Sequence, residues 1–178
     1  MSAQQFAKRC TKIVAVGRNY AAHAKELNNP LPKSPLLFLK PPSSIITQGQ
    51  KVKVPPGCTN LHHEVELGVI IGKRGTDIPV ESAMSHVSGY LACLDMTARE
   101  LQEVAKKRGE PWSMAKGYDT FCPISEVIPA SEIADTAKVE LWFKNNGVIK
   151  QQGNSSDMIF SIPTLISHIS TIFTLEEG

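Results

Sequence analysis

Glu64-Val65-Glu66-Leu67-Gly68-Val69-Ile70-Ile71 is the clearest strand pattern in this chain. A strand turns successive side chains to opposite faces, so Val65, Leu67, Val69 and Ile71 share one apolar face suited to a core. Glu64 and Glu66 fall together on the other face, roughly 6.5–7 Å apart along the strand. Two like charges so placed repel unless water or a cation lies between them. A solvated sheet face and the edge of a charged site are both open readings of this pair.

Outward from this strand, the pattern predicts several short ones. Ile13 to Val16 and Leu36 to Leu39 are apolar runs that fit buried strands, and Lys51 to Val54 alternates. Tyr90 to Asp95 is a further candidate, and Val139 to Lys144 runs into Asn145-Asn146-Gly147, a hairpin turn signal. Three helices are expected. Tyr20 to Leu27 is rich in alanine and stopped by Asn28-Asn29-Pro30. Thr97 and Glu100 read as a capping box before the stripe Ala98, Leu101, Val104 and Ala105, with Gly109-x-Pro111 as the stop. Ser161 and Pro163 open the last, whose stripe is Leu165, Ile166, Ile169, Ile172 and Phe173. Many short strands with few helices predict an α+β, strand-dominated domain.

With 178 residues, 42% of them hydrophobic, the chain can bury a core without a disulfide or metal staple. A net charge of +2, with no basic run interleaved by aromatics, argues against nucleic acid as a partner. No apolar run approaches about 18 residues, so a membrane span is not expected. Cys10, Cys58, Cys93 and Cys122 stand far apart, without the spacing of a zinc or redox motif, which favours a reduced interior compartment. The first 25 residues carry Lys8, Arg9, Lys12, Arg18 and Lys25 but no acid, as in an organelle-targeting segment or a frayed terminus. The expected location is mitochondrial or cytoplasmic.

Asp95 closes the run Leu91-Ala92-Cys93-Leu94 just before the expected helix, a position that suits either a site mouth or an N-cap. Should Glu64, Glu66 and Asp95 converge, their all-oxygen donor set suits Mg²⁺ or Mn²⁺. His23 and Glu26 lie three apart on the first helix; they form a carboxylate-oriented general base or a surface pair. Arg99 and Gln102 share the polar face of the capped helix, where Arg can hold a carboxylate by two hydrogen bonds or simply pair with Glu103. Lys116 follows Pro111-Trp112 in an expected loop, where solvation is the ordinary fate of a lysine. His62 and His63 add little to a hard oxygen site and read as outer or loop residues.

In order, these pieces resemble the fumarylacetoacetate hydrolase family. The matching segments are Val16-Gly17-Arg18-Asn19-Tyr20 with His23 and Glu26, Leu36-Leu37-Phe38-Leu39-Lys40-Pro41, and Asn60-Leu61-His62-His63-Glu64-Val65-Glu66-Leu67-Gly68. Leu94-Asp95-Met96-Thr97-Ala98-Arg99, Ala115-Lys116 and Met158-Ile159-Phe160-Ser161-Ile162-Pro163 complete them. The resemblance implies a mixed β-roll over residues 13–178, following a flexible segment 1–12, and a homodimer. It implies Glu64, Glu66 and Asp95 as ligands of Mg²⁺ or Mn²⁺. His23, Glu26 and Lys116 become catalytic, and Arg18, Arg99 and Gln102 bind substrate. The implied substrates are small 2-keto acids: oxaloacetate, decarboxylated or tautomerised, and acylpyruvates, cleaved by water. In each, the metal drains charge from an enolate as it forms. An unsaturated-diacid isomerase of the same fold is an alternative. Relatives continue into a substrate loop and closing strands past the position of Gly178, so a C-terminally truncated domain is also expected. Its catalysis would be impaired, leaving a protein that binds metal or partner subunits only.

Overall fold

The computed structural model describes residues 1–20 and 32–178. The expected helix Tyr20 to Leu27 therefore lies almost wholly outside the described residues. The chain opens with α1 (Ala3–Arg9), followed by β1 (Ile13–Gly17) and β2 (Leu36–Lys40), which pair. Short strands β3 (Ile45–Ile46) and β4 (Leu61–His62) precede β5 (Val65–Ile71), and β6 (Val87–Leu94) and β7 (Thr97–Ala98) follow. Then come α2 (Arg99–Arg108), α3 (Ser113–Lys116), β8 (Cys122–Pro123) and β9 (Ile128–Pro129). The hairpin β10 (Glu140–Asn145) and β11 (Val148–Asn154) leads to α4 (Ile162–Ser170). The architecture is mixed and strand-rich, as the alternation predicts. No helix among the described residues is long and apolar enough to cross a membrane.

By its contacts the chain divides into two units. One comprises Met1–Ala15, Phe38–Gly68 and Leu91–Val127; the other comprises Val16–Leu37, Val69–Tyr90 and Ile128–Gly178. The first begins with a helix where a flexible segment is expected. Ser2 and Gln5 cap α1 reciprocally, and Ala3 and Phe6 are buried. Burying Phe6 gives this short helix the tertiary support that propensity alone does not supply.

The core of the first unit gathers Met96, Ala98 and Phe121, with Val52, Leu61, Leu94, Leu101 and Tyr118 packed against them. β4 pairs antiparallel with β7, and β3 pairs parallel with β8. Gly68 leaves room for the Leu91 side chain where β5 meets β6; a Cβ there would stand 2.4 Å from Leu91 Cδ1, which would have to turn aside. Lys51 to Val54, expected as a strand, is irregular and contributes Val52 to the core instead.

α2 corrects the expected capping box. Thr97 is held extended by its pairing with His62, and the Arg99 N–H donates to the Asn60 carbonyl. Ala98 is thus the N-cap, with no side-chain cap, and Glu100 Oε1 accepts from the Thr59 N–H at 2.9 Å. Pairing with β4 outweighs the local preference of Thr97 for a cap. The stop is as expected: Gly109 adopts φ 67°, the left-handed region that glycine enters without strain.

In the second unit, Asn146 (φ 50°) and Gly147 (φ 79°) turn the β10–β11 hairpin as the sequence signals. The Ser161 side chain caps α4, which buries Ile162, Ile166 and Ile169; Ile172 lies beyond its end and is exposed. The helix end is tied down through Ser170, whose hydroxyl and carbonyl accept from the Ile78 and Asp77 N–H groups. Leu175 and Gly75 exchange two backbone hydrogen bonds, and the Gly178 N–H donates to the Ile71 carbonyl.

Candidate active site

The first unit brings together Glu64, Asp95, Lys116, Arg99 and Gln102. Asp95, at the exit of β6, donates its backbone N–H to the Glu64 carbonyl at 2.8 Å, which sets the two carboxylates on adjacent strands. α3 carries Lys116, so this residue lies at a helix end and not in a loop, and it is 2% exposed. Its ammonium donates to Glu64 Oε2 at 2.7 Å and to Asp95 Oδ2. Arg99 opens α2, donating from Nη2 to Glu64 Oε1 at 2.6 Å and from Nη1 to Gln102 Oε1 at 2.5 Å. Gln102 is therefore buried in the site instead of lining an open polar face. Asp95, buried as well, serves as an ion-pair acceptor and not as a helix cap.

The charges pull the two glutamates apart. Burial pushes Glu64 up, but Lys116 and then Arg99 outweigh it and hold the carboxyl down at about 2. Glu66 goes the other way. Burial first, then the negative charges of Asp95 and Glu64, raise it to about 8. Among the described residues no side chain donates a hydrogen bond to the Glu66 carboxylate. Ionising such a carboxyl beside two others is costly without a cation against it, and its oxygens fit a hard cation by donor type. The expected convergence is nevertheless incomplete. Among the described residues no three His, Cys, Asp or Glu side chains are grouped to hold a metal ion, and the Lys116 ammonium spans Glu64 and Asp95.

His23 and Glu26 lie outside the described residues. Arg18, at the turn after β1, belongs to the second unit; it is partly exposed, with φ 59°. His62 borders the site, its Nδ1 3.3 Å from Arg99 Nη2, and burial and then Arg99 lower its pKa. Cys93 lies behind Glu66, its thiol donating to the Glu66 carbonyl, and burial drives its pKa well up. All four cysteines are free.

Lys40 has no role in the reading of the sequence. It is 3% exposed, and its Nζ donates to Asp95 Oδ1 at 2.7 Å. The signal is present nonetheless: a lone lysine closes the apolar strand Leu36-Leu37-Phe38-Leu39 just before Pro41. The strand itself is only partly buried, with Leu36 and Leu39 exposed, so a buried ammonium at its end has to find acceptors inside.

The fumarylacetoacetate (FAA) hydrolase C-terminal profile matches residues 12–178. The chain belongs to the fumarylacetoacetate hydrolase family. Its similarity to "Oxaloacetate decarboxylase, mitochondrial" of Dictyostelium discoideum is 56% identity over 168 residues, covering 94% of this chain and 77% of that protein. With "Oxaloacetate tautomerase FAHD2, mitochondrial" of Oryza sativa it shares 54% identity over 180 residues, covering 99% of this chain and 80% of that protein. Among solved structures, fumarylpyruvate hydrolase from Pseudomonas aeruginosa in complex with Mn²⁺ and pyruvate superposes with a TM-score of 0.87 at 35% identity. That match covers 94% of this chain and 74% of the other. The residues that carry the family resemblance in the sequence thus belong to an enzyme of this family, with its strand-rich fold.

Proposed function

We propose that this chain is a divalent-metal-dependent enzyme acting on small 2-keto acids, with oxaloacetate as the leading substrate and acylpyruvates as the second class. The observation that carries this reading is Glu66. Among the described residues no side chain donates to its carboxyl, which lies near Glu64 and Asp95 in a site that also holds Lys116 and an Arg99–Gln102 pair. Glu64, Glu66 and Asp95 would hold Mg²⁺ or Mn²⁺. When bound, such an ion supplies a Lewis acid for the keto-acid carbonyl.

The chain's own residues do the rest. Arg99 presents a planar fork of donors to a substrate carboxylate, and Gln102 fixes that fork from one helical turn away. Lys116 donates a hydrogen bond to the oxygen that gains charge as a proton leaves carbon 3 or as carbon dioxide departs. Its burial keeps water from competing for that donor. Arg18 joins the substrate-binding residues in this reading. His23, oriented by Glu26, activates the water that acylpyruvate cleavage requires and tautomerisation does not. A mitochondrial location and a homodimer complete the proposal; the names of the two similar proteins above support the first.

Oxaloacetate turnover with Mn²⁺, with Mg²⁺ and after chelation tests the reading, with an acylpyruvate and an unsaturated diacid assayed in parallel. Metal-dependent loss of oxaloacetate supports it. Turnover of the unsaturated diacid alone would make the chain an isomerase instead.

A further inference from the structure

We propose that Lys40 is a positioning residue that sets the metal affinity of the site by fixing Asp95 and the segment carrying Lys116. This proposal rests on the metal-dependent reading above. The Lys40 ammonium makes three hydrogen bonds: to Asp95 Oδ1 at 2.7 Å, to the Lys116 carbonyl at 2.5 Å and to the Met96 carbonyl at 3.3 Å. Those three acceptors use all its donors, and the Phe121 ring lies 5.9 Å below.

Charge alone does not account for the placement of this lysine, because two of its three bonds go to neutral main-chain carbonyls. What Lys40 adds is geometry. One oxygen of Asp95 is fixed, the main chain just after Asp95 is fixed, and so is the carbonyl at the end of α3. The end of β2 is thereby joined to the two segments that deliver Asp95 and Lys116. Gly117 lets the chain leave α3 tightly, since a Cβ there would stand 2.8 Å from the Ser113 carbonyl. Outer partners that orient metal ligands typically change affinity about 10–100-fold when removed.

Charge and position make opposite forecasts here. Were Lys40 only a counter-charge, Lys40→Met would leave the carboxylates more negative and bind Mn²⁺ more tightly. As a positioning residue, its loss frees Asp95 to turn, and binding weakens. The experiment is calorimetric titration of Mn²⁺ into the parent protein, Lys40→Met and Lys40→Arg, with thermal melts alongside. Ile166→Val, in the second unit, controls for general loss of stability.

The expected result is affinity weaker by about 10–100-fold in both Lys40 variants and unchanged in Ile166→Val. Parental or tighter affinity in Lys40→Met overturns the proposal. If that variant does not fold, Lys40→Arg decides, since it keeps the charge but not the three-bond geometry; parental affinity there overturns the proposal too. A parent protein that binds no Mn²⁺ overturns the metal reading itself and the role of Lys40 with it.

Discussion

The Lys116 ammonium bridges Glu64 and Asp95, whose backbones are themselves joined by the Asp95 N–H to Glu64 carbonyl bond. This arrangement places the Lys116 ammonium against two carboxylates, while among the described residues no side chain donates to the third, Glu66. The charge balance of the two carboxylates therefore depends on this lysine, which the proposed function also makes catalytic.

Replacing Lys116 should separate chemistry from binding. Lys116→Met keeps the length and removes the donor, and kcat for oxaloacetate should fall by about 10²–10³ with little change in KM. Mn²⁺ affinity should not weaken, since the lysine competes with the ion for the same oxygens. Steady-state kinetics and calorimetry on the same preparation check both.

Arg99→Ala should act mainly on KM. Losing a charge-assisted contact to a substrate carboxylate corresponds to about 10–100-fold. Arg99→Lys should recover little, because a point charge cannot reproduce the fork that Gln102 orients. Inhibition of oxaloacetate turnover by pyruvate, which lacks the second carboxylate, compared between parent and variant, would show which acid group Arg99 holds.

Stability of chelated protein should respond to pH in two windows of opposite sign. Glu64 titrates at about 2 when folded, so its ion pairs stabilise the fold above its ordinary value of 4.5. That stabilisation is lost as pH falls toward 2. Glu66 titrates at about 8 when folded, so the unfolded chain releases its proton first. Stability then falls as pH rises from 4.5 to about 8 and levels off above. Glu66→Gln should abolish the upper window alone, and denaturant melts across pH with and without Mn²⁺ would show it.

His23→Ala should slow acylpyruvate hydrolysis by about 10²–10⁴ and oxaloacetate tautomerisation far less. A proportional loss of both activities would assign the histidine to a shared step.

The apolar run made β5 legible in the sequence, as the Asn-Gly turn and Ser161 cap were legible, but its faces do not divide as the alternation predicts: Val65 and Ile70, on opposite faces, are its buried residues. Thr97 was misleading because its extended conformation comes from β4, some 35 residues away, at His62. Lys40 was not legible for a similar reason: its three acceptors lie 55, 56 and 76 residues along the chain. Gln102 looked like a surface residue by helical position, and only its pairing with Arg99 in the site explains its burial. Spacing left the three carboxylates with other readings, and only the family resemblance named them together; no spacing rule contains the lysine that stands between two of them.

Calorimetric titration of Mn²⁺ into the parent and Asp95→Asn proteins asks whether these carboxylates hold the ion, because Asn keeps the shape and removes one ligand charge. The parent should bind one Mn²⁺ per chain, and Asp95→Asn should bind more than about 100-fold more weakly, beyond the range of an outer partner. Equal affinities would contradict the account.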